Sequence, residues 1–331
     1  MKAGACGAPI PTDSPSDPCP SNDGDKHADL AAALLLSPVS TPVELPSSPA
    51  PLHGTLLSPE GQTRAAAVIL PGSGPTDRDG NSPQFGIQAA TYRLLAEGLA
   101  ERGVATIRID KRGIGASAAA GASEADLRFS AYAEDARAWA AETATKTGRP
   151  GAWLIGHSEG ALVALAAVAN GDDKVCGLVL LSGAGRPAGV VLREQLAALP
   201  EPLKGEAYAA VDELEAGRTV ADPPASLAAL FRPSVQPYLI SWLALDPAKL
   251  AAAYDGPMMI GQGTTDIQVT LADAETLKAA QPRAELAIWD GVNHVLKVAP
   301  AERAANVTTY MDPALPLAPG VVEAVADFML K

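Results

Sequence analysis

The sequence predicts an α/β protein built on a mostly parallel sheet with helices on both faces. Three observations predict it. Short continuous apolar runs recur at 66–70, 104–109, 153–155 and 177–181, without the in–out alternation of a half-exposed strand. Stretches of helical spacing separate these runs, over 92–102, 129–147 and 161–169. Each run also ends in a turn rich in glycine or serine. Strand and helix alternating in this way call for a parallel sheet.

Taken in order, residues 1–40 are rich in Pro, Ser, Asp and Gly, with too few apolar residues to pack, so a flexible arm is expected. Residues 43–45 and 52–57 read as two short strands around a Pro/Ser turn. The run 66–70 breaks at Pro71-Gly72-Ser73-Gly74-Pro75. Leu94, Leu95 and Leu99 carry the helix over 92–102, and Gly103 closes it. The strand 104–109 leads into Asp110-Lys111-Arg112-Gly113-Ile114-Gly115. An amphipathic helix over 129–147 stops at Gly148 and Pro150, and the strand 177–181 ends at Ser182-Gly183-Ala184-Gly185.

There the rhythm breaks. Residues 186–255 show helical patterns, many prolines and no good strand, which predicts a mainly helical cap inserted over one end of the sheet. Its aromatics, Tyr208, Phe231, Tyr238, Trp242 and Tyr254, either line a pocket or form the insertion's own small core. The sheet resumes at 257–261, followed by a helix over 270–281, a strand over 284–289 and a last helix after Pro319-Gly320. The expected organisation is an arm over 1–40, a core over 41–185 and 256–331, and the cap over 186–255.

The net charge of −13 argues against nucleic acid or an anionic membrane surface as a partner. No apolar run approaches the ~20 residues needed to span a bilayer. Cys176 lies in an apolar run and reads as a small buried hydrophobe, whereas Cys6 and Cys19 sit in the polar arm and would pair in an exported protein. Ala3-Gly4-Ala5-Cys6 resembles the end of a lipoprotein signal without its apolar part, which would lipidate Cys6. Export to the periplasm is the expectation drawn from the arm, with the cytoplasm as the alternative.

The chemistry centres on Gly156-His157-Ser158-Glu159-Gly160, between an apolar strand and an Ala/Leu/Val helix. This is the sequence form of a nucleophile elbow, in which two glycines make room for a strained serine turn and the helix presents free N–H groups to the reaction. A serine hydroxyl needs a base, and the base needs an orienting acid. Of the four histidines, His27 is in the arm, His53 in the early hairpin, and His157 points away from its neighbour on the tight turn, to pack or hydrogen-bond beneath it. His294, in a loop after a late strand, is the base by exclusion. Asp266, in the loop after the 257–261 strand, is the acid, with Asp290 in reserve; Asp273 and Glu275 are expected on an exposed helix face.

These motifs, with the loop 71–80 and Asp110-Lys111-Arg112-Gly113-Ile114-Gly115-Ala116-Ser117, resemble the α/β-hydrolase superfamily over about residues 41–331. The resemblance is to its serine-hydrolase branch, which includes lysophospholipase-like esterases and serine aminopeptidases of the proline-iminopeptidase group. It implies an oxyanion hole of two backbone N–H groups, from Glu159 and from Ser73, with Gly74 as the alternative to Ser73. It implies no metal or organic cofactor. Glu159 departs from the apolar or amide residue usual after the nucleophile, so its carboxylate should pair with an arginine, Arg78 or Arg112; for Arg112, bracing the loop is the stronger expectation.

Three functions follow from this reading. The first is hydrolysis of small or short-chain carboxylic esters through an acyl-enzyme, with Ser158, His294 and Asp266 as the triad. The second is an aminopeptidase or amidase on the same triad, which would need a carboxylate from the insertion (Glu194, Glu201, Glu206, Asp212, Glu213 or Glu215) to hold a substrate amine. The third is a ligand-binding homologue without catalysis.

Overall fold

The computed structural model describes residues 37–121 and 123–331. The N-terminal hairpin pairs β1 (Val39–Leu45) with β2 (Leu52–Ser58), and β3 (Ala65–Leu70) follows. A two-stranded ribbon, β4 (Asn81–Ser82) and β5 (Ile87–Gln88), precedes α1 (Thr91–Glu101), β6 (Val104–Ile109), α2 (Phe129–Thr147) and β7 (Ala152–His157). Next come α3 (Glu159–Val168) and β8 (Val175–Leu181). Five helices follow with no strand among them: α4 (Ala188–Leu196), α5 (Leu203–Glu215), α6 (Ala228–Phe231), α7 (Gln236–Leu243) and α8 (Pro247–Ala253). The chain closes with β9 (Met258–Gly263), α9 (Leu271–Ala280), β10 (Glu285–Trp289), α10 (Arg303–Thr308) and α11 (Val321–Met329).

Eight strands form the main sheet in the order β1-β2-β6-β3-β7-β8-β9-β10. The β1–β2 and β2–β6 pairs are antiparallel and the rest are parallel. Central strands alternate between two cores. Val68, Leu154, Leu178 and Leu180 pack toward α2 and α3, while Ile69, Ile155, Val179 and Leu181 pack toward α1 and α11. Burial on both faces explains why β3, β6, β7 and β8 read as unbroken apolar runs.

The expected strands and helices are present to within a few residues, while the β4–β5 ribbon and α10 were not expected and three residue-level expectations change. β1 begins at Val39, inside the stretch expected to be arm, because its residues pair along all of β2. Asp273 is buried instead of exposed: it closes a capping box with Thr270 at the start of α9 and pairs with Arg186 from the end of the β8 loop. Cys176 is half-buried and disulfide-bonded, not a free thiol in the core. Cys6, Cys19, His27 and the lipoprotein-like stretch lie outside the described residues. No helix among the described residues is long and apolar enough to cross a membrane.

Because β3, β6, β7, β8, β9 and β10 run parallel, their carboxyl ends share one edge. In open α/β sheets that edge carries the ligand crevice. Here it receives the loops holding Ser73, Lys111, Ser158, Asp266 and His294.

Candidate active site

The turn from β7 into α3 leaves Ser158 alone between strand and helix, at φ 56° and ψ −120°. Such a backbone costs a residue with a Cβ about 1–3 kcal/mol and persists only where the surroundings enforce it. The surroundings are tight. A Cβ on Gly156 would lie 2.2 Å from the Gly160 carbonyl oxygen, and one on Gly160 would lie 2.3 Å from that of Leu70. Both elbow positions therefore require glycine. The Ser158 N–H donates to the Leu181 carbonyl at 2.9 Å, which ties the turn to β8.

Ser158 opens onto a cavity of about 110 Å³. Ser73 and Glu159 line it from the sheet edge, Gln268 and Val269 from the β9 loop, and Leu192, Trp242 and Pro247 from the α4–α8 segment. Among the described residues, neither the Ser73 N–H nor the Glu159 N–H has a hydrogen-bond partner, whereas the neighbouring Gly72 N–H is taken by the Tyr92 hydroxyl at 2.9 Å. Ser73 and Glu159 both line the cavity, and Gly74 does not.

Asp266 and His294 meet. The His294 Nδ1–H donates to Asp266 Oδ2 at 2.8 Å, with both side chains buried. Every lone-pair direction of the carboxylate has work: Oδ1 accepts the Gln268 and Val269 N–H groups at 2.8 and 3.0 Å, and Oδ2 also accepts Gln262 Nε2 at 3.1 Å. Burial pushes the Asp266 carboxyl up, but the His294 ring and these hydrogen bonds together hold it below the usual value. Asp290, the reserve candidate, is exposed and accepts from the Thr264 hydroxyl instead. Gln262 was not expected; it lies inside β9, where nothing local in the sequence distinguishes it from a core position.

His157 lies beneath the elbow and binds its two neighbours. Its Nε2 donates to the His294 carbonyl at 2.7 Å, and Nδ1 accepts from the Tyr92 hydroxyl at 2.9 Å. The Tyr92 oxygen accepts from Gly72, so a relay runs from the Ser73 loop through the elbow to the His294 loop. Burial and the adjacent His294 ring lower the His157 pKa to about 3, which keeps the ring neutral as this relay requires. The His157 and His294 rings lie 4.8 Å apart between centroids. Among the described residues no hydrogen bond joins Ser158 Oγ to His294; the two are linked through His157, which adjoins Ser158 and binds the His294 carbonyl.

Neither expected arginine reaches Glu159. Arg78 is spent on Asp110, with Nε and Nη2 on Oδ2 at 3.0 and 2.6 Å, and on Thr55. Arg112 binds Asp135 at 2.7 Å together with Ser47 and two loop carbonyls, a brace for the loop after β6. The partner of Glu159 is Lys111, at 3.4 Å, with both side chains about nineteen-twentieths buried. The Tyr238 hydroxyl from α7 donates to the other carboxylate oxygen at 2.5 Å. Lys111 stands in the motif that also carries Arg112, at the same sheet end as Arg78. Of the five aromatics in the insertion, Trp242 lines the cavity and Tyr238 reaches Glu159, while Phe231 is fully buried in the core. The pocket reading holds for Trp242, whereas Phe231 joins the main core beside the sheet and not a separate core of the insertion.

A family model described as serine aminopeptidase, S33, matches residues 85–290 of the chain. The chain belongs to this family. The S33 match takes in Lys111, Ser158, Glu159 and Asp266 and ends just before the loop of His294. Several solved structures share the α/β-hydrolase fold of this S33 chain at low identity. A lipase-esterase related protein from Clostridium acetobutylicum is 16% identical, with 84% of this chain and 99% of that one covered and a TM-score of 0.52. Est1E from Butyrivibrio proteoclasticus is 16% identical, with coverage of 87% and 97% and a TM-score of 0.54. Proline iminopeptidase from Mycobacterium smegmatis is 14% identical, again with 87% and 97% covered and a TM-score of 0.54. No curated protein matches the chain in sequence. Both esterases and a peptidase stand among its structural neighbours, so the fold leaves the scissile bond open.

Proposed function

We propose that this S33 chain hydrolyses carboxylic esters of small or short acyl groups through an acyl-enzyme. The observation that carries the reading is the buried Asp266–His294 pair at 2.8 Å, on the sheet edge where a strained Ser158 begins a helix. Asp266 occupies Nδ1, which leaves Nε2 of His294 to act. In the proposed reaction His294 takes the Ser158 proton as the hydroxyl attacks the acyl carbon, and the Ser73 and Glu159 N–H groups stabilise the oxyanion. The tetrahedral intermediate collapses as His294 returns the proton to the leaving alcohol. Water, deprotonated by the same imidazole, then attacks the acyl-serine and releases the acid.

The cavity favours a small acyl group: about 110 Å³ is below the roughly 150 Å³ that holds benzene in an engineered protein cavity. Residues 186–255 act in this reading as a cap that closes the cavity with Leu192 and Trp242.

The second reading, an aminopeptidase, is favoured by the family description and by the iminopeptidase among the neighbours. A free amine needs a carboxylate to hold it. Of the candidates in the insertion, Glu194, Glu201, Asp212, Glu213 and Glu215 are paired with Arg186, Lys204, Arg193, Arg218 and Arg193, and Glu206 is exposed. None of the six lines the cavity. Glu159 does, and it is already compensated by Lys111 and Tyr238. That balance favours the ester. A panel of p-nitrophenyl acetate, butyrate and octanoate beside aminoacyl p-nitroanilides tests the choice. The ester reading expects turnover of acetate and butyrate well above octanoate and above every anilide; anilides preferred with a free amine would replace it by the aminopeptidase.

A further inference from the structure

A carboxylate immediately after a nucleophilic serine is an electrostatic problem. Its own N–H is a proposed oxyanion donor, so its charge sits close to where a second negative charge develops. Glu159 is held inside the protein, its side chain only 5% exposed, and solvent does little to screen it.

Lys111 answers this from the next motif along the sheet edge. Its ammonium lies 3.4 Å from Glu159 Oε2 and donates to the Gly72 carbonyl at 2.5 Å. The second contact matters as much as the first. The Gly72 carbonyl and the Ser73 N–H belong to one planar trans peptide and point in opposite directions. A cation bound to that oxygen fixes the plane that presents the Ser73 N–H to the cavity. It also polarises the peptide toward a stronger donor. The Tyr92 hydroxyl, on the Gly72 N–H, holds the preceding peptide.

Lys111 therefore touches both halves of the proposed oxyanion hole without facing the reacting atoms. Its surroundings keep it there. Tyr132 offers its ring face 5.5 Å from the ammonium, and the Tyr238 hydroxyl holds the far oxygen of Glu159. Tyr238 in turn stacks on Phe129 of α2 and on Trp242, which lines the cavity. Burial lowers the Lys111 pKa, and the charge and hydrogen bond of Glu159 offset that shift only in part.

We infer that Lys111 is the positioning residue of the oxyanion hole, orienting the Gly72–Ser73 peptide and cancelling the charge of Glu159, and that Tyr238 ties this pair to the cap. The inference rests on the hydrolase reading above and goes beyond it by assigning a residue outside the triad.

A fluorophosphonate separates the two claims, because its phosphoryl oxygen enters the oxyanion hole whatever the natural substrate is. Saturating and second-order labelling rates are measured on the full chain for wild type, Lys111→Met and Lys111→Met/Glu159→Gln. The expected result is a fall in the saturating rate of Lys111→Met on the order of 10²-fold, the scale of a lost oxyanion donor, with the apparent binding constant within about twofold. The double variant should recover about tenfold of that loss, because removing Glu159's charge leaves only the Gly72 contact missing. It also leaves no unpaired buried charge, so it folds even where the single variant does not. In that case the double variant should label about tenfold slower than wild type. Equal labelling of wild type and a well-folded Lys111 variant overturns the inference. So does a loss confined to the binding constant, or a double variant no faster than a folded single one. No labelling of Ser158 in the wild type would instead remove the hydrolase reading itself.

Discussion

His157 Nε2 donates to the His294 carbonyl across 2.7 Å, so the residue before the nucleophilic turn holds the loop that carries the imidazole behind it. The same ring accepts from Tyr92, and it does both only while neutral.

This neutrality makes stability depend on pH. The His157 pKa is about 3 in the fold, against about 6.5 when unfolded. Between those values the unfolded chain binds a proton that the native chain refuses, so stability rises with pH through the window. The contribution is complete above about 6.5 and is lost progressively toward 3. From this residue the protein should be about 2 kcal/mol less stable at pH 5 than at pH 7, a range above most carboxylate titration. Urea denaturation of wild type and His157→Gln at both pH values checks it: the variant should lose most of that difference.

Tyr92 serves two buried partners with one hydroxyl. Tyr92→Phe leaves the Gly72 N–H and His157 Nδ1 unpaired, and should cost about 1–3 kcal/mol. Urea midpoints read it directly. A loss below about 0.5 kcal/mol, the level of a neutral surface change, would mean that the relay does not hold the loop.

Asp266 and Asp290 separate the two acids considered from sequence. Asp266→Asn removes the acceptor that fixes the His294 tautomer and should lower kcat by about 10³–10⁴-fold, on the pattern of triad acids. Asp290→Asn disturbs only an exposed contact to Thr264 and should stay within about threefold. The reverse order would move the acid to Asp290.

Gly160→Ala places a methyl 2.3 Å from the Leu70 carbonyl oxygen, a rigid backbone neighbour. A displacement of β3 or of the helix start must follow. The expected cost is about 3 kcal/mol or more, among the larger effects of single substitutions, seen as a lowered unfolding midpoint together with lost hydrolase activity.

Much of this was legible in the chain because the signals are local. Ser158 stands between an apolar strand and a small-residue helix, and glycines at both flanks mark the turn. The mostly parallel sheet follows from strands buried on both faces. The partners were less visible, because they depend on which side chains arrive from elsewhere. Arg78 and Arg112 stand beside Lys111 in the same sheet-edge loops, yet Asp110 and Asp135 claim them, and a lysine is left for Glu159. Asp273 looked like a solvated helix residue because its spacing carries no trace of Arg186, more than eighty positions earlier. Gln262 is silent for the same reason: it serves Asp266 from within an apolar strand.

Intact-mass analysis after treatment with a fluorophosphonate, followed by peptide mapping, tests the central claim most directly. The account predicts one adduct per chain on Ser158, absent from Ser158→Ala and slowed at least about 10³-fold in His294→Ala. No adduct on the folded protein, or an adduct on another residue with Ser158→Ala still labelled, would contradict it.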